Sequence, residues 1–341
     1  ETRVLDFGAL GALPGAASAD RAAALCARLA RRGHQVVALT HRSREVRGND
    51  GALAPLADNL SGNVAAPLLG LAPQSFDVVV HCAANVQFDA PEAELRATNV
   101  EGTRNALAFA KAAGADFLHV STAYVCGNRE GVIKEGPVPV GTAFTNGYEA
   151  SKAAAERVVE HSGLRFAIAR PSIVQGEHAS GAIRDFPSLC GVFRLMARGK
   201  VTRFPVAVHS TLDLVPMDHV AEGIARIAER LEQAAGGHYH LVAEAPIPTA
   251  ELAHGVARVA HFPEPQVIAP VDYDPEALSP AERMLAGRML ATFGPYFSRS
   301  PRFDDTRFRA LTGLSCPPTD RAWLDRLIAY GLARGYLPST S

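Results

Sequence analysis

Over the first 176 residues, short apolar runs alternate with alanine-rich, helix-forming stretches, and this alternation limits the available architectures more than any other feature. Buried strands of a parallel sheet read as continuous apolar runs because helices cover both faces. Amphipathic helices instead repeat their apolar residues three and four apart. A first strand begins at Val4 and Leu5. Residues 21–32 carry Ala22, Leu25 and Leu29 on one helical face, and residues 35–40 form a buried run closed by basic residues. Further strands are predicted at 76–81, 117–122 and 166–171, and helices at 94–113 and 148–162. Right-handed crossovers between such units give an open, doubly wound α/β sheet.

Beyond Gly176 the alternation weakens. Residues 211–220 predict a return to the sheet edge, followed by a helix at 221–233 and a strand at 238–242. The chain then ends in an amphipathic helix bearing Trp323, Leu324, Leu327 and Ile328. The expected organisation is a body over 1–176 rejoined by 211–245, with a smaller, mostly helical lobe from 177–210 and 246–341. Such a lobe would close over the carboxyl ends of the strands, where open α/β sheets bind ligands.

Charge narrows the functional classes. Thirty-four basic against 35 acidic residues leave a formal charge of −1, which argues against a nucleic-acid or anionic-membrane surface. No apolar run approaches the roughly 20 residues that span a bilayer. The segment Glu1-Thr2-Arg3-Val4-Leu5 has no basic, apolar leader, and the five cysteines are scattered without a CxxC pair. Reduced thiols and a cytoplasmic location are the expectation.

The chemistry concentrates at Tyr148-Glu149-Ala150-Ser151-Lys152. Tyr and Lys four apart share one helix face, and an ammonium near a phenol favours the phenolate. Such a tyrosine can pass a proton to or from a substrate oxygen. Upstream, Val120-Ser121-Thr122-Ala123-Tyr124-Val125-Cys126-Gly127 ends a strand with hydroxyls at the loop, where one can hold a carbonyl oxygen beside the phenol.

With this set the sequence resembles the extended short-chain dehydrogenase/reductase family. The resemblance implies a Rossmann-type dinucleotide-binding body. Counting back five from Gly127, it makes Thr122 rather than Ser121 the hydroxyl that acts, leaving Ser121 as a strand-end hydroxyl bonded to backbone. It also implies that Asn99, in Asn99-Val100-Glu101-Gly102-Thr103, completes a catalytic tetrad. Ala83, in His81-Cys82-Ala83-Ala84, falls in the loop beneath the cofactor, and Pro171, in Arg170-Pro171-Ser172, at the strand end beside the nicotinamide.

Several stretches are similar to one branch, the thioester and fatty acyl-CoA reductases. They are Gly62-Asn63-Val64, Pro67-Leu68-Leu69-Gly70-Leu71, the run from Phe76 through His81-Cys82-Ala83-Ala84-Asn85-Val86-Gln87-Phe88, and Phe303-Asp304-Asp305-Thr306. The implied reaction is hydride transfer to an acyl thioester on CoA or a carrier protein, giving an aldehyde and a thiol, with a second hydride giving the alcohol. Tyr148 would then donate the proton, Lys152 hold the cofactor ribose, and Thr122 bind the developing oxyanion.

Cofactor choice is read at the end of the second strand. Leu39-Thr40-His41-Arg42-Ser43-Arg44 lacks the carboxylate that accepts from an NAD ribose, and Arg42 can pair a 2′-phosphate, so NADPH is expected. The stretch Arg42 to Arg47 is also the local basic patch that an acidic carrier protein would need. The glycine-rich turn departs from the family pattern. In Phe7-Gly8-Ala9-Leu10-Gly11-Ala12-Leu13-Pro14-Gly15, Gly8 and Gly11 are in step but Pro14 holds the third position. Pro14 offers no N–H to a pyrophosphate. Asn63 replaces the adenine-binding Asp, and its carbonyl can still accept.

Two alternatives remain on sequence grounds. One is another enzyme of the same family, such as a nucleotide-sugar epimerase or dehydratase or a hydroxysteroid-type dehydrogenase. The other is a non-redox or binding-only protein on the same fold, suggested by the altered turn. No HExxH, Walker A or GxSxG motif is present. His238 and His240 alternate on a strand expected to be partly exposed, and Cys82 and Cys126 read as small packing residues.

Overall fold

The structure is a computed structural model and describes residues 2–6, 17–40, 45–48, 51–72, 74–186 and 188–338. Seven parallel strands build the central sheet: β1 (Arg3–Asp6), β2 (Gln35–Thr40), β3 (Asp58–Ser61), β4 (Val78–His81), β5 (Asp116–Val120), β6 (Phe166–Pro171) and β7 (Gly237–Leu241). Their spatial order is β7-β6-β5-β4-β1-β2-β3. The chain runs outward from β1 to β3, then returns to the other side of β1 to place β4. That reversal opens a crevice at the carboxyl ends of β1 and β4.

Period-two side chains divide the core into two layers. Val36, Ala38, Val78, Val80, Leu118 and Ala169 face the helices Ala17–Arg31 and Met217–Glu229. Val37, Leu39, Val79, Phe117 and Ile168 face the helices Gly102–Ala113 and Gly147–Glu160. A further apolar cluster joins Phe193, Met196, Phe204, Leu252, Phe297, Trp323, Leu324, Leu327 and Ile328, so the terminal helix (Arg321–Ala333) buries the stripe that its spacing predicts.

Two expectations are corrected. Residues 211–220 do not rejoin the main sheet. Thr211–Leu212 pairs with Ile247–Pro248 and Leu214–Pro216 with Ile173–Gln175 in separate two-stranded pairs, and a helix starts at Met217. The strand at that side of the sheet is β7, which adds to β6 in register Gly237↔Ala167. The far edge is β3, whose sequence Asp-Asn-Leu-Ser carries no apolar run because an edge strand packs little of its surface. Second, His238 and His240 are buried, not partly exposed: His240 N–H donates to Glu135, and its ring meets Phe303 from the lobe. Among the described residues no helix is long and apolar enough to cross a membrane.

Gly127 fixes the turn that follows Thr122. Its φ is +61°, and a Cβ there would lie 2.2 Å from the Ala143 carbonyl oxygen. Gly131 also has positive φ, +74°, but has open space around it. Gly127→Ala is therefore expected to destabilise by more than the 1–3 kcal/mol or so of backbone strain alone, and Gly131→Ala by no more than that. Urea unfolding of the two variants checks the order; equal losses would show that the contact with Ala143 is unimportant.

Candidate active site

Thr122 directly follows β5 with an extended backbone, φ −147° and ψ 146°, and caps the short 3-10 turn Ala123–Cys126. Its Oγ1 accepts from the Tyr124 N–H at 3.2 Å, and the hydroxyl hydrogen can be donated outward. Tyr148 lies in the first turn of the helix Gly147–Glu160. Asn146 caps that helix by accepting from the Glu149 N–H at 2.9 Å, and the Glu149 carboxylate accepts in turn from the Thr145 N–H at 3.1 Å. One turn on, Lys152 is 1% exposed. Its Nζ donates to the Val120 carbonyl at 2.9 Å and stands 3.3 Å from His119 Nε2. Thr122 thus stands at the strand end and Tyr148 and Lys152 on the opening turns of the helix, with Lys152 reaching back to the carbonyl two residues before Thr122.

Asn99 sits in a π-helical turn, Arg96–Glu101, inside the long helical stretch that the sequence reads as continuous. Such turns re-aim side chains and recur at functional sites. The Asn99 amide is a brace. Its Oδ1 accepts from the Asn85 N–H at 2.7 Å, while Nδ2 donates to the Asn85 carbonyl at 3.0 Å and to Ser151 Oγ at 2.9 Å. Ser151 Oγ donates to the Tyr148 carbonyl at 2.8 Å. The loop after β4 is thereby tied to the Tyr148 helix. Ala83 is buried in that loop, and Pro171 is buried as the last residue of β6.

Gly8, Gly11 and Arg42 lie outside the described residues. Asn63 is exposed, and its Oδ1 accepts from the Ala65 N–H at 2.9 Å, so the carbonyl proposed for adenine already closes a local turn. The buried Ser121 hydroxyl has no hydrogen-bond partner among the described residues, so the bond to backbone expected of it is not made. Glu156, Glu160 and His238 come within 4.8 Å of one another, yet Arg170 grips Glu156 with two bonds, Nε–Oε1 at 2.9 Å and Nη2–Oε2 at 2.7 Å. The cluster is an ion-pair network. Cys82 and Cys126 are buried, and burial pushes the Cys126 thiol up to about 11, away from thiolate chemistry.

Sequence reasoning missed an aromatic and ionic shell around Tyr148. Phe88 lies 5.4 Å from the Tyr148 ring and stacks on Tyr296 at 5.6 Å, and Phe293 closes edge-on at 6.0 Å. Glu149 is fully buried; its Oε1 accepts from Tyr296 Oη at 2.8 Å and Arg299 Nη2 at 2.7 Å. Residues 147 or more apart make these contacts, and no local pattern signals them.

Buried histidines give the protein an acid-sensitive side. Burial first, and the Lys152 charge second, push His81 down to about 3. Folded chains therefore leave His81 neutral where unfolded chains protonate it, below about 6.5. The stability His81 permits is complete above that pH and is lost as pH falls through the window. Glu135 and Asp213, raised by burial to about 7 and about 6, act in the opposite sense in part of the same range. A single substitution isolates the His81 contribution: His81→Gln should gain stability relative to the unsubstituted protein as pH drops from about 6.5 toward 4. Urea denaturation at stepped pH measures this difference, and a constant difference would refute it.

A family model described as "Male sterility protein", of the NAD-binding kind, matches residues 52–224. An aldehyde reductase of Aspergillus flavus, lnaA, is 24% identical over 319 residues, covering 82% of this chain and 30% of that protein. Fatty acyl-CoA reductase 1 of Xenopus laevis is 32% identical over 176 residues, covering 42% of this chain and 34% of its own length. Against these curated relatives the chain thus spans about a third of their length. The crystal structure of the terminal R domain of the myxalamid PKS-NRPS pathway superposes with a TM-score of 0.80 at 26% identity, covering 100% of this chain and 93% of that one. With a match across half its length and the sheet, crevice and Tyr148 helix just described, the chain belongs to the NAD-binding Male sterility protein family.

Proposed function

We propose that the protein is an NADPH-dependent reductase of acyl thioesters, carried on CoA or on a carrier protein, with Thr122, Tyr148 and Lys152 as its working residues. What supports this reading is Thr122 at the end of β5 and the helix carrying Tyr148 and Lys152, whose Lys152 Nζ donates to the Val120 carbonyl two residues before Thr122. The likeness to a terminal R domain and to a fatty acyl-CoA reductase supplies the substrate class.

The residues present fit a nicotinamide dinucleotide. The topological switch beside β1 is where such sheets take one, and Lys152 is a buried cation at the strand end. Lys152, Ala83 and Pro171 would hold it together with Gly8, Gly11 and Arg42, the last favouring a 2′-phosphate, while Asn63, whose carbonyl already accepts from the Ala65 N–H, would reach adenine only through its remaining lone pair or its amide hydrogens. When bound, the group supplies the hydride.

The chain's own residues do the rest. Thr122 donates its hydroxyl hydrogen to the thioester carbonyl oxygen, stabilising the negative charge that develops there. The Tyr148 phenol delivers its proton to that oxygen, giving a hemithioacetal. The carbon–sulfur bond then breaks: the hydroxyl proton leaves, the sulfur is released as a thiol, and the carbonyl reforms as an aldehyde. Lys152 holds positive charge one helical turn from the phenol, and Asn99 positions the helix through Ser151. Phe88, Phe293 and Tyr296 wall the Tyr148 side with apolar surface, which keeps water from the aldehyde. The five cysteines are all buried and outside disulfides, which fits a reducing compartment such as the cytoplasm and a route without an enzyme thioester.

Titration with NADPH and NADH, followed by nicotinamide fluorescence, should show binding with NADPH the tighter; no binding near millimolar cofactor would overturn the proposal. With cofactor bound, acyl-CoA and acyl-pantetheine should be reduced and nucleotide sugars left unchanged. Tyr148→Phe should lower kcat by about 10²- to 10⁴-fold while leaving the NADPH Kd in place. An unaffected rate would remove Tyr148 from the mechanism.

A further inference from the structure

We propose that the groove between the outward faces of the helices Gly102–Ala113 and Gly147–Glu160 docks an acidic, helical carrier protein that presents the thioester on its flexible arm. This inference rests on the thioester reading and gives its carrier a place on the surface.

Both helices lie on one face of the sheet and bury their inner stripes against it. Their outer faces repeat at helical spacing, Arg104, Leu107, Ala108 and Lys111 on the first, and Ala154, Arg157, Val158 and His161 on the second. Together with Arg96 and Val100 these residues line an open groove of about 540 Å³.

The groove has an apolar floor, from Val100, Leu107, Ala154 and Val158, and no carboxylate in its lining. Arg96, Arg104, Lys111 and Arg157 are all exposed and set four fixed positive charges along it. Arg96 and Arg104 share Glu101 at 3.5 and 3.4 Å, in exposed pairs that hold little energy. Among the described residues no carboxylate pairs with Lys111 or Arg157. On a chain whose formal charge is −1, this concentration of one sign is local.

An apolar track with a cationic lining fits an amphipathic helix whose polar face is acidic. The same charges disfavour a second copy of this chain. Across a twofold axis the four cations would meet their own images, with no carboxylate in the lining to answer them.

The groove is also placed for delivery. It begins at Arg96 and Val100, in the π-helical turn of Asn99, whose side chain braces the loop after β4 and the Tyr148 helix. Leu95, next to Arg96, packs so closely on Gly147, next to Tyr148, that a Cβ there would lie 2.9 Å from Leu95 Cδ1. One end of the groove therefore adjoins the start of the Tyr148 helix. In the basic stretch Arg42 to Arg47, by contrast, Arg47 is taken by Glu45 at 2.7 Å and the Gly51 carbonyl at 2.9 Å.

Lys111→Glu combined with Arg157→Glu reverses two charges that have no ion-pair partner to lose. Binding of a small acidic acyl carrier protein in its phosphopantetheinyl form, followed by fluorescence anisotropy at low salt, should weaken about tenfold in this double variant. Lys111→Gln with Arg157→Gln should weaken it less, and decides the matter if the reversal disturbs folding. Added salt should weaken binding by the unsubstituted protein too. In turnover, KM for an acyl group on that carrier should rise by about the same factor, while kcat/KM for the same acyl group on pantetheine stays in place. No carrier binding, binding that the variants leave unaltered, or equal losses on both substrates would overturn the proposal. So would an unsubstituted dimer in sedimentation that the double variant dissociates, since the groove would then be an interface between copies. Groove-dependent carrier binding without reduction of either thioester would leave the docking in place and count against the thioester reading alone.

Discussion

The buried contact between Glu149 and Arg299 holds together the parts on which the rest of the site depends. Glu149 follows Tyr148 at the start of its helix, and Arg299 comes from the far end of the chain. Besides gripping the carboxylate at 2.7 Å, Arg299 donates to the Gly127 carbonyl at 2.5 Å and lies over the rings of Tyr124 and Tyr296. One guanidinium therefore joins the Tyr148 helix, the turn after Thr122 and the aromatic segment of the lobe. Removing one partner of such a pair leaves a buried charge uncompensated, at a cost of about 3–5 kcal/mol, whereas the intact pair adds little net stability. Its worth here is specificity of arrangement: it fixes where the aromatic wall sits relative to the phenol.

The same helix is pinned a second time. Glu156, two turns on, is held by Arg170 of β6, whose remaining nitrogen donates to the Gly136 carbonyl at 2.7 Å. Between the two ion pairs stand Ser151, bonded to Asn99, and Lys152, bonded to Val120. A helix tied at both ends and in the middle keeps Tyr148 in one place, which the proton-donor role proposed for it needs if little reorganisation is to accompany reaction.

Much of this was legible in the chain itself. The residues of β2 and β6 were readable to their ends, because buried parallel strands are continuous apolar runs with abrupt polar or proline boundaries. Tyr148 and Lys152 were readable because four-residue spacing fixes a shared helix face. The edge strand Asp58–Ser61 was not, since its pairing is made by backbone and its side chains carry no pattern. Residues 211–220 misled for a related reason: an apolar extended segment looks the same whether it joins the main sheet or pairs with a short strand outside it. The π-helical turn at Asn99 was invisible too, as one extra residue per turn leaves the helical apolar pattern nearly intact.

By itself, then, the sequence determined the doubly wound sheet and the crossover helices, and it singled out Thr122, Tyr148 and Lys152 as candidates, since each is written in spacings of five residues or fewer or in the composition of a single element. Tertiary structure alone decided what surrounds that set. Phe88, Tyr296 and Arg299 reach Tyr148 and Glu149 from distant parts of the chain, and His119 meets Lys152 across 33 residues. Contacts of this range are fixed by how helices and lobe pack on the sheet, a global free-energy balance that no local periodicity encodes.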